Sequence, residues 1–425
     1  MRWAWAIVIV FLILRLVVAS SLNLAADEAY YWTWGQRPAL GYFDHPPMIG
    51  WWTGLSTQLF GDTELAVRFL PWISFLLAIV PCWLISPKPL TLLLLATMPL
   101  FQASILATPD APLILCWAWA LWALHHQRFR LAGLWIGLAI LSKLTALLLL
   151  PVLLFTAATR RQKLWAVGIA LLVCSPHLWW LMENDWISWR FQLAHVAGKS
   201  SRILFALGQL AVVGPLLMVA VVAVLFRKQE HAHLWWAVSL PLGCALVVGG
   251  EANWAAPAYL SACILLSTQG GWLGRLTHLG VSLNLTLSAL LVIHSIAPII
   301  ALPTDPLKRL TGGPELASAA MAWGEQEIWC SRYQEAALVW FYSGTATKVL
   351  INRDFPARSS QFELWDQSTP TAGLFIRPYR SSDYVELEPY GKEITDSGLV
   401  HHELFDGDAR NWQIYQFTSK PVSQD

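Results

Sequence analysis

Residues 1–302 are a succession of apolar runs separated by short polar breaks. A bilayer core is about 30 Å thick and takes about 20 helical residues to cross. Runs at 3–20, 65–86, 89–107, 110–125, 163–182, 202–226, 233–249, 253–269 and 277–302 each read as one span. Stretch 131–158 is too long for one span and carries Lys143 in its middle, which predicts two short helices meeting there. The sum is about eleven membrane helices, with run 3–20 kept as the first span because no small-x-small cleavage site precedes a soluble domain. Only 13% of the residues are charged, against about 25% in soluble proteins. So few charges cannot cover a soluble globule, and a net charge of +1 provides no field for a polyanion. Soluble enzymes, disordered scaffolds and nucleic-acid binders are excluded. The 26 tryptophans suit anchoring at membrane interfaces.

Charge is unevenly placed. Residues 1–302 hold 17 Lys/Arg and 10 Asp/Glu, whereas residues 303–425 hold 11 and 17. The chain therefore divides into a membrane part, 1–302, and an acidic soluble domain, 303–425. Alternate loops of the membrane part carry the basic residues: Arg2, Lys88, Arg128, Arg130, Arg160, Arg161, Lys163, Arg227, Lys228 and Arg275. By the positive-inside rule these loops are cytoplasmic. The other loops carry Asp27, Glu28, Asp44, Asp62, Glu64, Asp110, Glu183, Asp185 and Glu251. The alternation works only if 131–158 crosses twice, which places Lys143 at the outer face and sends the tail outside. In the tail, 314–323 reads as a helix and 327–330, 348–351, 373–376 and 413–417 as strands, giving a small α/β domain.

Six scattered cysteines contain no CxxC, so neither a disulfide framework nor a zinc site is expected. Nucleotide-binding glycine motifs are also missing from the sequence. The informative segment is the first outer loop, 21–64. Asp27-Glu28 precedes Ala29-Tyr30-Tyr31-Trp32-Thr33-Trp34, where Tyr31 and Trp34 share a helical face, as do Tyr30 and Trp34. The pattern predicts a helix lying in the membrane interface with two acids in its first turn. The acids serve equally well as a cap, by complementing the helix dipole, or as a site. Further on, Pro46-Pro47 fixes a turn that holds Asp44 and His45.

Asp110 joins two spans with almost no loop, Lys143 sits between short helices, and Glu251 and Asn253 end another outer loop. Ionisable groups at membrane depth are costly and default to function. A carboxylate can act as general base towards a hydroxyl or amine, and cations can hold a phosphate leaving group. An outer site without a nucleotide signature requires a donor that crosses on a lipid. A polyprenyl-phosphate sugar fits, with its phosphate near Lys143 or an Arg and its sugar near the acids.

These residues resemble a known family. Asp27-Glu28 after the first span, Tyr42-Phe43-Asp44-His45-Pro46-Pro47, Thr108-Pro109-Asp110-Ala111-Pro112, Leu141-Ser142-Lys143, the run Glu251–Tyr259 and Gln361-Phe362-Glu363-Leu364-Trp365 look like segments of GT-C membrane glycosyltransferases. They resemble in particular the bacterial branch that groups protein O-mannosyltransferases (family 39, PMT_2) with aminoarabinose transferases (family 83). The resemblance spans nearly the whole chain. It implies a bacterial inner-membrane enzyme of EC 2.4 with its active site and C-terminal domain on the periplasmic face. It implies inverting transfer from an undecaprenyl-phosphate sugar to lipid A, another glycan or a protein.

By the same resemblance Asp27 is the catalytic base and Glu28 assists it. Asp44, His45, Asp110, Lys143, Glu251 and Asn253 orient donor and acceptor. Aminoarabinose transferases carry an acid followed by Lys where this chain has Asp44-His45, which leaves the sugar open. A divalent metal on Asp27, Glu28, Asp44 and His45 is possible without a tight ligand motif. Two other classes compete. A transporter or flippase would show inverted repeats and midplane sites; a diphosphate-linked polymerase or ligase would carry a large, arginine-bearing loop late in the chain.

Overall fold

A computed structural model describes residues 2–197, 201–298, 305–350, 359–366, 368–379, 392–405 and 408–419. The expected boundary at 303 lies outside them. Four described helices are each long and apolar enough to cross a membrane: Arg2–Ser21, Glu64–Ile85, Arg160–Glu183 and Gly271–Ile296. Shorter apolar helices, among them Asp110–His125, Phe129–Ile140, Ala232–Val248 and Ala256–Ser267, complete the bundle around one buried apolar core.

The expected break at Lys143 is present. Helix Phe129–Ile140 ends, Lys143 is extended (φ −158°, ψ 142°), and a 3-10 turn Leu144–Leu148 leads into Leu149–Leu154. Two other runs read as single spans are broken. Run 89–107 divides at Met98, which precedes Pro99 and is extended, because proline's ring excludes the helical conformation from the residue before it. Run 202–226 bends by 109° between Arg202–Val213 and Pro215–Leu225. Gly214 sits at the bend with φ +90°, a conformation that favours glycine. The freed carbonyl of Val213 accepts from Asn284 Nδ2 at 2.7 Å.

The soluble domain has a five-stranded sheet. Its strands are β1 (Ile328–Cys330), β2 (Lys348–Val349), β3 (Gly373–Pro378), β4 (Lys392–Phe405) and β5 (Asp408–Ser419), in the order β2-β1-β3-β5-β4. β1 is parallel to β2 and β3, and β5 is antiparallel to β3 and β4. Helix Gly313–Met321 and four strands fall where the sequence predicts them. β4 and helix Tyr333–Ser343 are additional.

The first-loop helix, Ala26–Gln36, is covered by protein on two sides. It lies between helix Met48–Phe60 and helix Tyr333–Ser343 of the soluble domain, and residues 28–35 are all buried. Its aromatic residues share one apolar core with the soluble domain, a cluster that includes Tyr30, Trp34, Leu338, Phe362 and Ile414. The cause is its Tyr/Trp content, which is apolar on every side and needs cover on two faces.

Candidate active site

Asp27 and Glu28 occupy the first turn of Ala26–Gln36 and point to opposite sides. Glu28 turns inward. It accepts from Ala25 N (2.9 Å) and Ala107 N (2.9 Å), and from Arg68 Nε (2.8 Å) and Nη2 (2.6 Å). Arg68 also donates to the carbonyls of Ala19, Leu22 and Asn23. Both side chains are fully buried. Such a pair is stable only because every lone pair and proton is matched, and removing one partner typically costs about 3–5 kcal/mol. The node joins the first helix, the first loop, helix Glu64–Ile85 and the segment before Asp110. Glu28 is thus both cap and tie, and its carboxylate has no face on the cavity.

Asp27 is exposed to a cavity of about 450 Å³, whose lining includes Tyr30, His45, Asp110, Lys143, Asn253 and Tyr333. In this cavity Lys143 Nζ donates to Asp110 Oδ1 (2.8 Å) and Oδ2 (3.0 Å), and Asn253 Nδ2 donates to Asp110 Oδ2 (2.8 Å). The broken helix that the sequence predicts around Lys143 is what frees the ammonium to reach the cavity. Asp110 comes from the start of helix Asp110–His125 and Asn253 from the 3-10 turn Ala252–Ala255. Three elements far apart in sequence therefore meet in one charge-balanced cluster. An ammonium has three donors, so an anion entering the cavity can add to the Lys143 cluster without dismantling it.

The double-proline turn is rigid. Tyr42 N donates to His45 O (3.1 Å), and Pro47 starts helix Met48–Phe60. His45 lines the cavity. Asp44, buried behind it, accepts from the Tyr30 phenol at 2.7 Å. Burial first, then the Asp44 charge, push the Tyr30 phenol well above its ordinary value, so it stays a donor. Glu251 lies at the rim with its side chain two-thirds exposed, 3.6 Å from His195. The structure thus brings Asp27, His45, Asp110, Lys143, Glu251 and Asn253 to one cavity. Glu28 and Asp44 hold the walls. Among the described residues, no group of three or more His, Cys, Asp or Glu is arranged to hold a metal. The quartet Asp27, Glu28, Asp44 and His45 does not make such a set, since Arg68 saturates Glu28.

Sequence reasoning missed the contacts made from afar, although it quoted Gln361 within a family segment. Tyr333 OH donates to Asp27 Oδ1 at 3.0 Å across a separation of 306 residues. Gln361 Oε1 accepts from Phe43 N (2.7 Å), and Gln361 N donates to the Tyr30 phenol. Gln192 Nε2 donates to Asp44 O at 2.6 Å. No local pattern announces such contacts. A second, more apolar cavity of about 230 Å³ opens beside the first and shares Thr108, Asp110 and Asn253 with it.

Residues 44–180 match a family described as dolichyl-phosphate-mannose-protein mannosyltransferase (PMT_2). Over 96% of this chain and 93% of the relative, the sequence is 29% identical to the lipid A galacturonosyltransferase RgtD of Rhizobium johnstonii. Two crystal structures of ArnT from Cupriavidus metallidurans share the fold. The apo state aligns with a TM-score of 0.65 at 14% identity, covering 97% of this chain and 98% of that one. The state bound to undecaprenyl phosphate gives 0.64 at 15% identity with the same coverage. These comparisons converge: the chain is similar to GT-C membrane glycosyltransferases and shares the ArnT fold, and the relatives support a glycosyltransferase, an enzyme of EC 2.4.

Proposed function

We propose that this transferase moves a sugar from undecaprenyl phosphate to lipid A, with Asp27 as general base and inversion at the anomeric carbon. The observation that carries the reading is the cavity itself. It puts a cavity-facing carboxylate, Asp27, and an ammonium, Lys143, on the walls of one space with an apolar pocket beside it. The relative that spans nearly the whole chain acts on lipid A, and one of the solved relatives is bound to undecaprenyl phosphate.

In this mechanism the acceptor hydroxyl attacks the anomeric carbon from the face opposite the phosphate. Its proton passes to Asp27 as the new glycosidic bond forms. The bond from carbon to phosphate oxygen breaks, and the departing phosphate keeps the electron pair. Lys143 stabilises that charge from outset to product, while Asp110 and Asn253 fix its ammonium. The apolar cavity beside Asp110 takes lipid chain. His45 and Glu251 sit where the sugar or the acceptor headgroup meets the rim. The loops rich in Lys and Arg are cytoplasmic, and the cavity and soluble domain face the periplasm.

The experiment is sugar transfer by purified protein in lipid vesicles, using a panel of labelled undecaprenyl-phosphate sugars with lipid A as acceptor. Galacturonate heads the panel because the full-length relative transfers it. Labelled lipid A from one donor supports the reading. Release or polymerisation of sugar without labelled lipid A contradicts the acceptor, and inertness towards every donor contradicts the reaction.

A further inference from the structure

We infer that Tyr333 of the soluble domain is the positioning residue for Asp27, so that the membrane site is complete only with this domain docked. The inference rests on Asp27 being the base.

Tyr333 follows an inner strand of the sheet. β1 lies between β2 and β3 and is parallel to both. In open α/β sheets, the crevice beyond the carboxyl ends of the strands is where function gathers. The chain leaves β1 there. Ser331 N donates to Ile376 O at 2.9 Å, Arg332 pairs with Glu335 at 2.7 Å, and Tyr333 opens the next helix. Tyr333 is 3% exposed, and its ring centroid lies 4.5 Å from that of Tyr30. That packing aims the phenol at Asp27 Oδ1, 3.0 Å away. A ring held on one side by its own helix and on the other by Tyr30 has little rotamer freedom to lose.

The chemistry of the contact suits a base. One donor on Oδ1 fixes the carboxylate plane and leaves Oδ2 for the incoming proton. A neutral phenol orients a carboxylate with less loss of basicity than a cation would cause. Glu28, next in sequence, shows the alternative: a guanidinium and two backbone N–H groups occupy both its oxygens. The two neighbouring acids thus meet opposite treatment, one immobilised and neutralised, the other steered and left open. Holding a base in reacting geometry lowers the barrier of the step by removing the search for that geometry.

The test compares wild type, Tyr333→Phe, Asp27→Asn and the double variant, full length in lipid vesicles, with the productive donor of the panel. Tyr333→Phe is expected to lower kcat about tenfold or more, with the donor KM within about twofold and an unchanged melting temperature. In the Asp27→Asn background the same change is expected to cost no further rate, because its effect runs through that carboxylate. A Tyr333→Phe protein with wild-type kcat overturns the inference. So does an equal loss in the Asp27→Asn background, or a loss shared by KM and melting temperature, since each marks a docking role only. Full activity in Asp27→Asn instead removes the base, and an inert wild type removes the reaction. Either removes the role of Tyr333 with it, and the single variants tell these outcomes apart.

Discussion

Two adjacent carboxylates with identical local sequence context, Asp27 and Glu28, end on opposite sides of the first-loop helix. Their type and position were legible in the sequence, and so was the ambiguity between cap and catalyst. The structure separates the two side chains: Glu28 caps Ala25 N and ties down Arg68, while Asp27 faces the cavity. The division was not legible because it depends on Arg68, 40 residues on, and Tyr333, 306 residues on. Lys143 was legible for a plainer reason. A lone ammonium inside an apolar stretch is too costly to be idle. Its pairing with Asp110 and Asn253 sets up the prediction at this scale. Lys143→Met should weaken binding of labelled undecaprenyl phosphate about ten- to a hundredfold, as expected for loss of one or two charge-assisted bonds to phosphate. Lys143→Arg should retain most of it. Equal binding by wild type and Lys143→Met would move the phosphate elsewhere.

At the scale of elements, hydropathy located apolar helices but not their shape. Lys143 marks one break because it is charged. The breaks at Met98–Pro99 and Gly214–Pro215 lie in runs of uniform hydropathy, where only the proline, with Gly214 at the second break, signals a departure from a straight helix. The first-loop helix shows the reverse problem. Its periodic aromatics imply a lipid-facing side, yet a helix of the soluble domain covers that side, and hydropathy cannot distinguish lipid from protein as cover. Close approach between the first-loop helix and Met48–Phe60 depends on two glycines. A Cβ on Gly35 would meet Gly54 N at 2.5 Å and Gly54 Cα at 2.6 Å, both backbone atoms that cannot step aside. Gly35→Ala is therefore expected to destabilise the protein by about 1–3 kcal/mol, read as a lowered melting temperature in detergent. Gly168→Ala, where a Cβ meets open space within a helix, should leave it unchanged or slightly raised. Equal melting temperatures for both variants would mean the two helices are not packed this closely.

At the scale of the whole molecule, charge placement alone suggests a membrane part and an acidic soluble part. How they fit together was not legible. Arg37 lies between the Trp340 and Trp365 rings at 5.4 and 4.9 Å, and Leu24 N donates to the Tyr342 phenol at 2.7 Å. These are contacts between surfaces that carry no periodic signal. Orientation is testable directly. In a cysteine-free background, Ala372→Cys on the exposed edge of the soluble domain should react with an impermeant maleimide from the periplasmic side. His126→Cys, at the end of helix Asp110–His125, should react only after lysis. The opposite pattern would put the site in the cytoplasm, where no carrier lipid is needed to supply the sugar.

All three scales meet at one carboxylate, placed by a helix start in the membrane part and steered by the soluble domain. The most direct measurement is the single-turnover rate of sugar transfer to lipid A by wild type and Asp27→Asn, both saturated with donor. If Asp27 is the base, the rate falls by about a hundredfold to ten-thousandfold while donor affinity is retained. A rate within a few fold of wild type would show that another group takes the proton and would contradict the account.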